Sequence, residues 1–312
     1  MRYIVLMVII LLSSCAESIT VPTSDGTINS GIPVYKKDDV VYCCEIIDDI
    51  YNIIAQDNEK KTLTKLEPHS RVTTLFVDDD YLYYTSVISN TVTLLRLKLE
   101  SGETEELLKH ESANFLQNDY IYVVGDTVYY FLPNEGLWSI EGSNTELIAE
   151  SAVDCVITDN MIYYSKDGNI YSQSLVTEEC NILITKDAIF KSGQNDELLL
   201  QTLGDGYVDN MLLYNNKLYF LVTDGYSGGI FCTDMEGKDL TAVDPEYRVY
   251  RFMFDKNGDM YVSGVNLNTQ NKGIYRVSEN SELISDEVPV GFYVNDGCYF
   301  YTNGKGDLSH ID

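Results

Sequence analysis

Asp80-Tyr81-Leu82-Tyr83-Tyr84 decides the fold, because its pattern returns along the chain. A polar or glycine residue, any residue, an apolar residue, tyrosine and usually a second aromatic recur six more times. The other copies are Asp39-Val40-Val41-Tyr42, Asp126-Thr127-Val128-Tyr129-Tyr130, Asn160-Met161-Ile162-Tyr163-Tyr164, Asn216-Lys217-Leu218-Tyr219-Phe220, Gly258-Asp259-Met260-Tyr261 and Asp296-Gly297-Cys298-Tyr299-Phe300. The marked tyrosines lie 41, 46, 34, 56, 42 and 38 residues apart, about 43 on average. That period suits a four-stranded propeller blade.

A second pattern follows the better copies: Gly or Asn, an aliphatic residue, then an aromatic one. It reads Gly136-Leu137-Trp138, Asn169-Ile170-Tyr171, Gly229-Ile230-Phe231 and Gly273-Ile274-Tyr275. A polar turn and an aliphatic pair such as Leu147-Ile148 or Leu283-Ile284 come next. A short alternating run, such as Val153 to Ile157, precedes the tyrosine strand. Each unit therefore predicts four short strands, A to D from a central channel outward. Within the tyrosine strand the apolar residue and the second aromatic share one side, and the marked tyrosine faces the other. One blade cannot bury two apolar faces alone, whereas stacking in a closed ring covers both. The expectation is an all-β β-propeller of seven blades, with six or eight as alternatives. The 56-residue interval between Tyr163 and Tyr219 predicts an inserted hairpin near residues 188–206. The last unit stops after three strands, so residues 18–23 are expected to supply a closing strand.

The N-terminus carries a different signal. Met1-Arg2-Tyr3 precedes an apolar run from Ile4 to Leu12, the form of a secretory signal and too short to span a bilayer as a helix. The run ends Leu12-Ser13-Ser14-Cys15, which resembles the bacterial lipobox. The resemblance implies cleavage before Cys15, a diacylglycerol on its thiol and a further acyl chain, such as palmitate, on the freed amino group. Two chains anchor stably where one is marginal. Residues 1–14 thus read as a lipoprotein signal peptide, 15–31 as a lipidated tether and 32–312 as the propeller. The predicted location is the cell membrane, lipid-anchored on the extracytoplasmic side.

The chain carries a net charge of −28, which excludes nucleic acid as a natural partner, since neutralising phosphates needs Lys and Arg. Of seven cysteines, the six after Cys15 match no metal spacing, and most read as small packing residues. One disulfide among them is compatible with export. His69, His110 and His310 fall in separate units, so no histidine framework lines a channel. Asp78-Asp79-Asp80 reads as a solvated turn rather than a cation site. Neither a metal nor a cofactor is expected, and no catalytic residue is assigned.

The Asp-x-Leu-Tyr-Tyr unit, followed by Gly273-Ile274-Tyr275-Arg276-Val277 and a polar turn, resembles bacterial propeller domains similar to the low-density-lipoprotein-receptor-related propeller. The resemblance covers roughly residues 35 to 312. It implies a fold and a cell-envelope setting and no reaction. The Tyr-Trp-Thr-Asp signature of the receptor propellers is missing, so their ligand sites do not transfer.

In propellers, ligands commonly meet the face bearing the D–A and B–C loops. The candidate ligand-binding residues there are Lys166, Asp167, Asp224, Tyr226, Asn266, Asn268, Gln270 and Lys272, with Tyr226 as the aromatic anchor. Their mix of amide, hydroxyl and acidic groups suits a peptide or glycan. The reading is a monomeric, membrane-anchored, non-catalytic module that binds an envelope protein or glycan. The alternative is a carbohydrate- or peptide-processing enzyme with its site at the channel mouth.

Overall fold

A computed structural model describes residues 34–112, 119–132, 135–158, 160–192, 207–223, 228–243, 246–255, 257–277, 281–286, 291–294, 298–301 and 308–311. The chain runs through successive antiparallel meanders. The first sheet is β1 (Val34–Lys37), β2 (Val40–Ile47), β3 (Ile50–Gln56) and β4 (Lys60–Lys65). The second is β5 (Arg71–Val77), β6 (Tyr81–Ile88), β7 (Thr91–Lys98) and β8 (Thr104–Glu111). The third is β9 (Tyr120–Val124), β10 (Thr127–Leu132), β11 (Gly136–Glu141) and β12 (Asn144–Glu150). The fourth is β13 (Asp154–Ile157), β14 (Met161–Lys166), β15 (Asn169–Ser174) and β16 (Cys180–Ile184).

After a short helix, α1 (Lys186–Ser192), come β17 (Tyr207–Tyr214), β18 (Lys217–Thr223), β19 (Gly228–Asp234) and β20 (Thr241–Val243). The next meander is β21 (Tyr247–Phe254), β22 (Met260–Asn266), β23 (Lys272–Val277) and β24 (Glu282–Ser285). These two are joined into one larger sheet by the single pairing of Gly228 with Val249. The last meander is β25 (Gly291–Val294), β26 (Cys298–Tyr301) and β27 (Leu308–Ile311). No described helix is long and apolar enough to cross a membrane.

Two-residue turns set the registers. Tyr214 pairs with Lys217 around Asn215 and Asn216, at φ 48° and 57°. Lys166 pairs with Asn169 around Asp167 and Gly168, at φ 53° and 77°. Both residues of each turn are left-handed, a form that matches the twist of the flanking strands and that Asn, Asp and Gly tolerate.

The core is a series of layers between sheets. Ile162 and Tyr164 of β14 pack with Tyr122 and Phe131 of the third sheet, whereas Tyr163 packs with Val208 and Phe220 of the next meander. The same alternation places Leu218 and Phe220 of β18 on one side and Leu221 on the other. In β22 Met260 and Val262 face one neighbour and Tyr261 the other. The expected division of the tyrosine strand therefore holds. Each fully buried large side chain contributes about 1.5–3 kcal/mol.

First strands of successive meanders lie side by side: β1 with β5, β5 with β9, β13 with β17, β17 with β21, and β21 with β25. One apolar cluster links Tyr35 and Cys43 of the first sheet to Met253, Tyr261 and Val294 near the end of the chain. The fourth sheet and the β17–β20 meander contribute nothing to that cluster. The first described sheet and the last two meanders thus share one cluster.

Two expectations are corrected or left outside. Where a hairpin was expected from residue 188, the described part is α1. Asn169 Oδ1 accepts the Lys186 N–H, Thr185 Oγ1 caps the Ala188 N–H, and Ile189 is buried against the adjacent sheets. Residues 193–206 lie outside the described residues, as do the predicted closing strand at 18–23 and Cys15. Cys43, Cys44, Cys155 and Cys232 are buried free thiols, as expected for packing residues. Cys180 is exposed and also unpaired, so no disulfide forms among these five.

Candidate functional site

A belt of polar side chains crosses the inner strands at one level. It runs from Thr73 in β5 through Asp119 beside β9, Asp154 in β13, and Asp209 and Asn210 in β17, to Arg251 in β21. The level follows from register. Asp154 pairs with Ser165 and Asp209 with Leu221, in the last part of β14 and β18, and Arg251 pairs with Ser263 at the middle of β22. The belt therefore lies between the middle of the second strand and its B–C end.

Bulges make the belt. The β17–β18 register shifts between Asp209 and Leu212, and the β5–β6 register between Val72 and Leu75. A bulge leaves backbone groups out of the ladder, and neighbouring side chains take them up. Asp154 Oδ2 accepts the Met211 N–H at 2.6 Å and its Oδ1 the Cys155 N–H at 2.8 Å. Asn210 Oδ1 accepts the Phe252 N–H at 2.9 Å. Thr85 Oγ1 accepts the Thr74 N–H at 3.1 Å.

The carboxylates are electrostatically unusual. Asp119 is 2% exposed, and its Oδ2 sits 2.9 Å from Thr73 Oγ1, 3.0 Å from Thr85 Oγ1 and 3.3 Å from Tyr130 Oη, while Oδ1 has no hydrogen-bond partner among the described residues. Burial pushes its pKa up to about 6 against the pull of those hydroxyls. Burial also raises Asp154, and the charge of Asp209 raises it further. Asp209 keeps some accessible surface yet lies deep enough that desolvation raises it too, opposed by the Arg251 guanidinium. Tyr120 from β9 feels Asp154, Arg251 and Asp209 together, so four inner strands converge here.

Six of the eight sequence-predicted residues lie on or beside two described turns. Lys166 and Asp167 lie on the β14–β15 turn, one residue beyond Ser165, the partner of Asp154. Asn266, Asn268, Gln270 and Lys272 lie on or beside the β22–β23 turn. Most polar groups of that turn are spent on itself. Asn266 Oδ1 accepts the N–H groups of Asn268 and Thr269 at 3.0 Å each, and Gln270 Nε2 donates to the Leu267 carbonyl at 2.7 Å. Asp224 and Tyr226 lie outside the described residues. Asp78-Asp79-Asp80 forms the expected turn: Asp78 Oδ1 accepts the N–H of Asp80 and Tyr81, and Asp79 pairs with Lys37 at 2.7 Å.

The belt itself was missed by pattern reading. Its signal is a second period: Thr73, Asp119, Asp209 and Arg251 each stand ten residues before a marked tyrosine, and Asp154 nine. The His110 ring of the second sheet lies 5.2 Å from that of Trp138 of the third, tilted by 58°, and its Nε2 lies 2.9 Å from Glu135 Oε2 without hydrogen-bonding alignment. Ser112 Oγ donates to the other oxygen of Glu135.

No family model and no curated protein matches the sequence. Solved structures do match. A prolyl endopeptidase superposes with a TM-score of 0.62 at 8% identity, over 92% of this chain and 50% of its own, so the chain spans half the length of that enzyme. Virginiamycin B lyase from Staphylococcus aureus superposes with a TM-score of 0.58 at 13% identity, over 90% of this chain and 93% of its own. The β-propeller domain of the trilobed protease from Pyrococcus furiosus gives 0.53 at 10% identity, over 78% and 80%. Identities this low speak to architecture alone, and on that the sheets, the layered core and the neighbours agree: the chain has the β-propeller fold.

Proposed function

We propose that this chain is a seven-bladed propeller, tethered outside the cytoplasmic membrane by lipid on Cys15, that binds an envelope protein or glycan without transforming it. One observation carries the reading. Both oxygens of Asp154 are taken by backbone N–H groups, one of them from the next inner strand, so this acid stitches the ring. Recognition is then left to the turns above the belt. Cross-linked capture from intact envelope tests it: Tyr226→Ala should lose a partner that the parent chain captures, and unchanged capture would remove that face. Cys15→Ser should release the chain from membranes, and continued retention would discard the anchor.

A second reading, a carbohydrate- or peptide-processing enzyme, draws on Asp154 and Asp209, whose charges act on each other. Glycosidic chemistry uses paired carboxylates about 5–10 Å apart. The fold neighbours include a prolyl endopeptidase and a lyase, which is compatible with it. Turnover of a glycan or peptide that is abolished by Asp209→Asn would establish this reading; a chain inactive on both classes would leave the binding module.

A further inference from the structure

We infer that residues 25–30 add a fourth strand to the last meander, with Ile28 at a fixed place in its register. The outer strands share a device that assigns it. In five of the six described outer strands the ladder to the third strand slips by one residue, and the skipped residue is always Leu or Ile: Leu63, Leu107, Ile148, Leu183 and Ile284. Beside each bulge the third strand places a wholly buried aliphatic residue: Ile53, Leu94, Leu137, Ile170 and Ile274. The skipped side chain packs half-buried on the apolar layers, while the residue before it is exposed.

The last meander carries the receiving half of this device. Tyr301 pairs with Leu308 and Cys298 with Ile311, as Ser263 pairs with Ile274 and Met260 with Val277. Leu308 therefore stands where Ile274 stands, on a strand, β27, whose described pairing is with β26 alone. The free edge of a strand presents N–H and C=O groups ready to template another.

The chain carries the other half just before β1. Ile28-Asn29-Ser30-Gly31-Ile32-Pro33-Val34 repeats the order of Ile284-Ser285-Asp286-Glu287-Val288-Pro289-Val290: an isoleucine, a polar residue and, three residues on, an aliphatic residue, Pro and Val. Ile284 is the skipped residue of β24, and the chain beyond it leads into the inner strand β25. Ile28 stands six residues before β1, as Ile148 stands six before β13. The exposed place before the bulge then falls to Thr27, a polar residue. The resulting register sets Asn29 against Leu308, Thr27 against Ser309 and Gly26 against His310.

The destination is close to where the segment joins the fold. Tyr35 of β1 shares an apolar cluster with Val294 of β25, so the strand is delivered by its own chain at the effective concentration of an intramolecular contact. Ile19 fits less well: it stands fifteen residues before β1, and the Ile-Pro-Val stretch does not follow it at the matching distance. The closing strand thus moves from residues 18–23, where alternation alone placed it, and residues 15–24 are left as the tether.

Hydrogen exchange of the full chain, read by mass spectrometry, tests this. Amides of residues 25–30 should exchange about tenfold or more slowly than those of residues 16–22, and diluting the protein should change nothing. Ile28→Asp should release residues 25–30 and β27 together while β5–β8 stay protected, and Ile19→Asp should release neither. Fast exchange of residues 25–30 in the parent chain, or protection of β27 that is indifferent to Ile28→Asp, would overturn the inference. So would release of β27 by Ile19→Asp, which would give the edge to residues 18–23, and loss of protection on dilution, which would give it to a second copy. If Ile28→Asp unfolds the whole chain, Ile28→Ala reads the same coupling. Neither the lipid on Cys15 nor partner capture enters these readouts, so they fail independently of this inference.

Discussion

Asp154 and Met211 belong to different sheets, and the carboxylate of the first accepts the backbone N–H of the second at 2.6 Å. Met211 sits in the irregular stretch of β17 where the ladder to β18 is broken. A side chain from the neighbouring inner strand thus completes hydrogen bonding that the strand cannot complete within its own sheet. Asn210 does the same for Phe252 in β21. A buried donor without an acceptor costs about 1–3 kcal/mol, so each stitch replaces a sizeable penalty.

Asp154→Ala should therefore destabilise the chain by about 3 kcal/mol, because two buried N–H groups lose their acceptor at once. Asp154→Asn keeps the shape and one acceptor oxygen and should cost roughly half as much. Urea unfolding reads both. An alanine variant within about 0.5 kcal/mol of the parent would show that the stitch is dispensable.

Asp119 makes stability depend on pH. Burial holds its pKa at about 6 in the fold, against an ordinary value of 3.8, so the fold favours the protonated acid. Its contribution is fully present below about pH 4 and is lost as pH rises through about 6. The gap corresponds to about 3 kcal/mol. Asp119→Asn removes this titration. The stability of the parent relative to that variant should fall from pH 4 to pH 7 in denaturant titrations; a constant difference would show that Asp119 is already ionised in the fold.

Ile162 and Tyr163 are neighbours in sequence that pack into different layers. Ile162→Val should cost about 1 kcal/mol and Tyr163→Leu about 2 kcal/mol. Because their surroundings do not overlap, the double variant should match the sum within about 0.5 kcal/mol. Strong coupling would mean that both side chains share one cluster.

Gly273 opens β23 where a Cβ would lie 2.2 Å from the Ser285 carbonyl oxygen and 2.7 Å from Leu283 Cδ1. The carbonyl belongs to the paired strand β24 and cannot step aside. Gly273→Ala should cost about 3 kcal/mol. Gly102, whose Cβ would meet nothing, pays only for its left-handed φ of 75°, so Gly102→Ala should cost about 1 kcal/mol. Melting curves of the two variants compare them directly, and equal losses would refute the steric account.

The glycines before Leu137 and Ile274 were legible as a recurring letter, and the structure supplies the cause: a backbone oxygen of the next strand occupies the Cβ position. The two faces of the tyrosine strand were legible for a similar reason, since strand periodicity fixes sides before any partner is known. The insertion after β16 was legible in its position but not in its form. A capped helical turn and a hairpin differ there by local contacts from Thr185 and Asn169, which spacing does not reveal.

By itself the sequence determined that short strands repeat, how long each unit is, and which side of each tyrosine strand is apolar, because those features are properties of one strand and its turns. Only the tertiary structure decided that Asp154 serves Met211, that Asn210 serves Phe252, and that Thr73 serves Asp119. Such relations join residues more than forty positions apart, and chain order carries no distance across the channel until the sheets have closed around it.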